Sequence, residues 1–177
     1  MIIRQEKPSD YKEVYELVKM SFATVSDSDG TEPDYLNELR TKDTFIPELS
    51  LVAENESGKL VGQIVLYKIA IDKTVIVTQK GELIELLLSP ISVHPDYFRR
   101  GIARALMERS FEIAKKLGFK AVFLCGDPKF YRKFGFIPTY EHGIYHATDK
   151  EGNADWCMVR ELVSGALRNI SGILDIV

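Results

Sequence analysis

The sequence predicts a single α/β domain over residues 1 to 177, and three features carry that prediction. An apolar run, an amphipathic helix and a second short apolar run follow one another from residue 83 to 126, a strand–helix–strand unit. Further strand-like and helix-like segments fill the rest of the chain, which places it in the α/β class. No repeat, low-complexity tract or long linker divides the 177 residues, which are ample for one core.

Taken in order, Ile2-Ile3-Arg4-Gln5 is short and β-prone. Pro8-Ser9-Asp10 then supplies a proline and capping oxygens, and Asp10 with Glu13 fits a capping box. Val14, Leu17, Val18 and Phe22 follow at helical spacing, so a helix runs to about Ala23. The polar stretch at 26 to 34 breaks the pattern, and a short helix is expected from Tyr35 to Arg40. "LSLVAEN" (49–55) and "KLVGQIVLYKIAI" (59–71) read as strands joined through Glu56-Ser57-Gly58.

The run "LIELLLSPISV" (83–93) carries Pro90, which cannot donate to a ladder. A bulge, or a point where this strand parts from a neighbour, is expected there. Ile102, Leu106, Ile113 and Leu117 then form an apolar helical stripe that Gly118 ends. "AVFLCG" (121–126) is a short buried strand, "PKFYRKFGF" (128–136) one or two helical turns, and "ADWCMVREL" (154–162) a late strand. The tail 164–177 is amphipathic and can pack on its own domain or on a partner subunit, in which case the protein is a homodimer.

A formal net charge of -3 offers no electrostatic reason to bind nucleic acid or an anionic membrane. No apolar run approaches the ~20 residues that span a bilayer. Met1-Ile2-Ile3-Arg4 does not open a signal peptide, and Cys125 and Cys157 lie in apolar strand-like stretches where reduced thiols pack as small hydrophobes. A cytoplasmic protein is the expectation.

Against that acidic background, Arg99-Arg100-Gly101-Ile102-Ala103-Arg104 gathers positive charge where a strand turns into a helix. A helix N-terminus exposes unpaired N–H groups and the positive end of the macrodipole, and glycine lets a ligand approach the backbone. Arginines there oppose the dipole unless an anion is bound. There is no G-x-x-x-x-G-K-[ST] and no G-x-G-x-x-G, so neither a P-loop nucleotidase nor a dinucleotide fold is indicated.

The run "SPISVHPDYFRRGIARAL", followed by "GDPKFYRKFGF", resembles the GNAT superfamily of acetyl-CoA-dependent N-acetyltransferases. Its signature Q/R-x-x-G-x-G/A aligns with Phe98 to Ala103, and Tyr131 stands four residues before Gly135-Phe136. Phe98 replaces the usual Gln or Arg, and Asp127-Pro128 stands where an asparagine is often found. The resemblance follows the whole chain in element order and is sharp from about 87 to 136.

It implies a mixed, mostly antiparallel sheet with a splayed strand pair, and acetyl-CoA as co-substrate with no metal. Ile91 and Val93 would then offer backbone groups to the pantetheine arm. The N–H groups of residues 99 to 104 would take the pyrophosphate, with Gly101, Ile102 and Ala103 in the cradle and Arg99, Arg100 and Arg104 as cations. A backbone N–H near Ile91 to Val93 would polarise the carbonyl, and Tyr131 would protonate the departing thiolate. Packing with Phe130 and Phe134 is the bland alternative for Tyr131.

For a base, Glu85 stands in an apolar run where burial raises a carboxyl pKa, Glu82 lies just outside it, and a water chain can serve instead. The acidic residues Asp27, Asp29, Glu32 and Asp34 read as a solvated turn, since the glycine falls wrongly for a calcium loop. His142 and His146 have a metal-like spacing but no third ligand. Cys125 packs in the core, a covalent acyl-cysteine route being its alternative. The expected activity is direct acetyl transfer to a primary amine of a small molecule or peptide; a non-catalytic acyl-CoA-binding module is the alternative.

Overall fold

The computed structural model describes residues 1–26, 28–69, 74–78, 81–82 and 85–176, the segments 74–78 and 81–82 by their backbone. In chain order the elements are β1 (Ile2–Gln5), α1 (Tyr11–Phe22), α2 (Glu32–Leu39), β2 (Ser50–Glu54), β3 (Leu60–Lys68), β4 (Thr74–Thr78) and β5 (Gly81–Glu82). They continue with β6 (Leu86–Val93), α3 (Ile102–Lys116), β7 (Ala121–Cys125), α4 (Pro128–Tyr131), β8 (Ile137–Pro138), β9 (Ile144–His146), β10 (Cys157–Glu161) and β11 (Ser171–Leu174). The fold is mixed α/β. Strands β6–β7 and β9–β11 pair in parallel, whereas β1–β2, β2–β3, β7–β10, β8–β10, β4–β11 and β4–β5 are antiparallel.

The chain divides into two compact units, each assembled from two segments. Met1–Tyr67 with Leu88–Ala114 make the first, and Lys68–Leu87 with Lys115–Val177 the second. This interleaving explains why no linker is visible in the sequence.

In the first unit, β3 is buried at every residue from Leu60 to Tyr67, so both of its faces are covered. Gly62 makes one contact possible. A Cβ built on it would stand 2.7 Å from Ile102 Cγ2 and 3.0 Å from Leu106 Cδ1, so the first turns of α3 pack directly on the backbone of β3. The buried stripe of α3 is Ile102, Leu106, Met107, Ser110, Phe111 and Ala114. Leu117, expected on the stripe, falls just past the end of the helix and is 46% exposed.

Two further expectations change here. Asp10 and Glu13 do not form a capping box. Asp10 accepts from the Lys7 N–H at 2.8 Å and pairs with Arg4, while Glu13 accepts from the Leu60 N–H at 2.8 Å and ties α1 to β3. Helix α2 begins at Glu32 rather than Tyr35, with Pro33 in its first turn and Glu32 and Asp34 near the positive end of its dipole. The buried Arg40–Glu6 ion pair, shared with Ser50 Oγ, anchors its far end.

In the second unit, β10 lies against β7 from Cys157↔Cys125 to Glu161↔Ala121, and β8 adds to its other edge. A second sheet, in the order β5-β4-β11-β9, has no counterpart in the sequence reading. The tail left open there supplies β11, parallel to β9 and antiparallel to β4. Residues 70, 71, 83 and 84 of the expected strands, Asp27 and Val177 lie outside the described residues, as does the Glu82 side chain. Among the described residues no helix is long and apolar enough to cross a membrane.

Candidate active site

Strand β6 runs through Pro90 without interruption, and the Ser89–Pro90 peptide is cis. The Pro90 carbonyl accepts from Gln63 Nε2 at 3.3 Å, so the buried Gln63 occupies a backbone group that the proline leaves next to its missing donor. Ile91 and Val93 alternate with the buried Pro90, Ser92 and His94 and remain partly exposed. The parallel ladder of β6 with β7 covers Leu86↔Val122 and Leu87↔Phe123.

After Val93 the chain makes a single helical turn, Pro95–Tyr97, whose first N–H groups are served by His94: Asp96 N–H donates to His94 Nδ1 at 3.2 Å. Tyr97 accepts from Asn55 Nδ2 at 3.0 Å and holds the Arg100 guanidinium 4.9 Å over its ring. The sequence-predicted cradle follows. Arg99 has φ 61° and Gly101 φ 78°, so left-handed residues stand on both sides of Arg100, the kind of alternation from which anion-binding concavities are built. A left-handed arginine costs on the order of 1 kcal/mol, strain of the kind that accumulates at ligand sites.

Gly101 stands directly before α3, its carbonyl accepting from the Ala105 N–H at 3.0 Å. The first helical N–H groups therefore belong to Ile102, Ala103 and Arg104, which a helix leaves without internal acceptors. Arg99, Arg100, Gly101 and Arg104 are all exposed, and Arg104 lies 3.7 Å from Glu108 in an exposed pair worth little. Phe98 is 46% exposed and fills no core position. The predicted cradle residues thus share one turn and one helix end in the first unit.

Tyr131 belongs to the second unit, at the end of α4. Asp127 caps that turn, accepting from the Lys129 N–H at 2.8 Å. The Tyr131 ring lies against Gly126, where a Cβ would be 2.4 Å from its Cε2, and packs edge-on to Phe130 at 4.9 Å and Phe136 at 5.8 Å. Its ring is thus fixed by packing. Among the described residues its hydroxyl has no hydrogen-bond partner. Burial, helped by Asp127, pushes its pKa up to about 12, so it holds its proton throughout the neutral range.

Glu85, directly before β6, is 4% exposed. Its Oε2 accepts from the Lys120 N–H at 2.9 Å and the Ala121 N–H at 3.0 Å, which joins it to the start of β7. Burial raises its pKa above the ordinary carboxylate range, and these two donors oppose the shift.

The remaining candidates have local partners. Asp29 accepts from the Thr31 N–H and hydroxyl, Glu32 from Ser28, and Asp34 from Tyr15. His146 bonds Thr148 and the Ile176 carbonyl, and no cluster of three metal-binding side chains occurs among the described residues. Sequence reasoning missed Gln63, Gly62 and Gly126. A glycine inside the strand "LVGQIV" is a signal of close backbone approach, whereas nothing in the sequence marks Gly126 as the bed of Tyr131.

Residues 47–138 match the model of the acetyltransferase (GNAT) domain. Over 176 residues the chain is 27% identical to YhbS of Escherichia coli K12, named as an uncharacterized N-acetyltransferase, covering 99% of this chain and 95% of the relative. It is 30% identical over 133 residues to the uncharacterized N-acetyltransferase YjhQ of the same strain, covering 72% of this chain and 68% of the relative. The crystal structure of YhbS from Escherichia coli in complex with CoA superposes with a TM-score of 0.82 at 25% identity, over 99% of this chain and 89% of that one. A GNAT family acetyltransferase from Brucella melitensis in complex with acetyl-CoA gives a TM-score of 0.65 at 29% identity, over 76% and 81% of the two chains. With the matched domain covering over half of its length, and the left-handed turn at 99–101 inside that match, the chain belongs to the GNAT acetyltransferase family.

Proposed function

We propose that this protein is an N-acetyltransferase that moves the acetyl group of acetyl-CoA to a primary amine of a small molecule or peptide, by direct attack in a ternary complex. The observation that carries this reading is the turn at Arg99–Gly101, whose alternating left-handed residues and exposed cations fit a pyrophosphate. Acetyl-CoA supplies an activated thioester. Backbone groups of Ile91 and Val93 hold the pantetheine arm and polarise the carbonyl. The N–H groups of Gly101, Ile102, Ala103 and Arg104 take the phosphates, with Arg99, Arg100 and Arg104 adding charge. Tyr131 gives its proton to the thiolate.

Titration calorimetry with acetyl-CoA tests the cofactor. Binding in the micromolar range is expected, and Arg100→Ala weakens it roughly 10-fold through one lost charge-assisted contact. Absence of binding to the folded protein refutes the reading.

Glu85 and water are the candidate bases. The two backbone donors on Glu85 favour an anchoring role, with the amine proton passing to water. Glu85→Gln keeps an acceptor oxygen for both donors, so kcat is expected to stay within about 3-fold of wild type; a loss of ~100-fold at unchanged acetyl-CoA affinity instead marks Glu85 as the base. Stability supplies an independent readout. A raised folded pKa means that Glu85 keeps its proton longer in the native state, and stability is lost as pH rises through that pKa. Gln does not titrate, so the variant gains on wild type in urea denaturation as pH rises above the ordinary carboxylate range.

A further inference from the structure

Strands β7 and β10 set Cys125 directly opposite Cys157. On the same ladder the Gly126 N–H donates to the Trp156 carbonyl at 2.9 Å and the Leu162 N–H to the Lys120 carbonyl at 2.7 Å. Both belong to hydrogen-bonded pairs, and the antiparallel alternation makes 125–157 a non-hydrogen-bonded pair. Cα atoms in such a pair stand ~4.5 Å apart with side chains on one face, inside the ~4.4–6.8 Å range that a disulfide spans. Both thiols are free, Cys157 buried and Cys125 partly exposed.

Cys125 Sγ donates to the Ile176 carbonyl at 3.9 Å. Its pairing with Cys157 pushes the Cys125 thiol up, with burial adding to that, and pulls Cys157 below the ordinary thiol range against burial. Cys125 is the sulfur that a peroxide reaches, and it gives up its proton as it reacts.

We propose that Cys125 and Cys157 form a redox modification site, closed by hydrogen peroxide into a cross-strand disulfide. Cys125 Sγ attacks one peroxide oxygen, the O–O bond breaks, and the departing hydroxide takes the thiol proton and leaves as water. Cys157 Sγ then attacks the sulfenic sulfur, the S–O bond breaks, and the second water carries away the Cys157 proton. The two thiols give up two electrons, which the peroxide takes. The new bond closes the segment that holds α4, β8 and β9, with Gly126 and Tyr131 just inside it. The proposal does not depend on the acyl-transfer reading.

The test treats the full chain with hydrogen peroxide, blocks remaining thiols and maps peptides by mass spectrometry. A Cys125–Cys157 cross-link is expected, reversed by dithiothreitol. It should raise the Tm by ~5 °C in wild type and not in Cys125→Ser. Cys157→Ser is the second control, and the wild-type peptide map decides the question even if that variant fails to fold. Two thiols that alkylate as in the untreated protein, or sulfinic acid without a cross-link, overturn the proposal.

Discussion

Replacing Tyr131 by phenylalanine lowers kcat by roughly 100-fold or more and leaves acetyl-CoA affinity within about 2-fold, since general acids typically contribute 10²–10⁴-fold to rate. The ring stays in place because Gly126, Phe130 and Phe136 hold it by contact rather than through the hydroxyl. Stopped assays of CoA release, run beside calorimetry, separate the two effects. A variant that turns over at the wild-type rate sinks the proton-donor role and leaves packing as the whole function of the residue.

The pH profile adds a second test. With its pKa at about 12, Tyr131 stays protonated while the acceptor amine loses its proton. Wild-type kcat should therefore rise with pH and level off, with no fall below about pH 10. A falling limb near pH 8 or 9 contradicts the assignment. Stability behaves in the corresponding way. The native state keeps this proton longer than the unfolded chain, so the contribution is complete below the unfolded pKa of ~10 and is lost as pH rises through 12. Tyr131→Phe abolishes that alkaline loss.

Gly62→Val destabilises the protein by about 2–3 kcal/mol and weakens acetyl-CoA binding at the same time. The new Cβ meets Ile102 Cγ2 at 2.7 Å, Leu106 Cδ1 at 3.0 Å and the Ser92 carbonyl at 3.4 Å, so side chains must move and backbone leaves little room. Ile102 opens α3, and displacing it shifts the N–H groups proposed to receive the pyrophosphate. Urea denaturation and calorimetry should change together. Loss of stability with unchanged binding would show that the cradle tolerates movement of the helix.

The turn proposed as a cradle was legible as a candidate because its features are local. Arg99 to Arg104 are consecutive, a glycine and a helix start sit beside them, and anion binding needs little beyond that order. Tyr131 was legible through its spacing to Gly135-Phe136, although its contacts were not. The expected capping box failed because Asp10 and Glu13 each found a partner outside the helix, Arg4 with the Lys7 N–H in one case and the Leu60 N–H in the other. Asp10 was taken by residues just before the helix, and Glu13 by a tertiary partner on β3. Strands β4, β9 and β11 were missed for a related reason: short segments become strands when neighbours distant in sequence supply the ladder.

By itself, then, the sequence determined the order of the main helices and strands and the charge at the head of α3, where a phosphate is proposed to bind. These depend on periodicity and on neighbours along the chain. Tertiary structure alone decided that Glu85 serves the N–H groups of Lys120 and Ala121, that Gln63 takes up the Pro90 carbonyl, that Tyr131 rests on Gly126, and that two cysteines 125 and 157 face each other across a ladder. Each of these joins groups by register or packing, and register is set by which strands pair, a property no local stretch of residues contains.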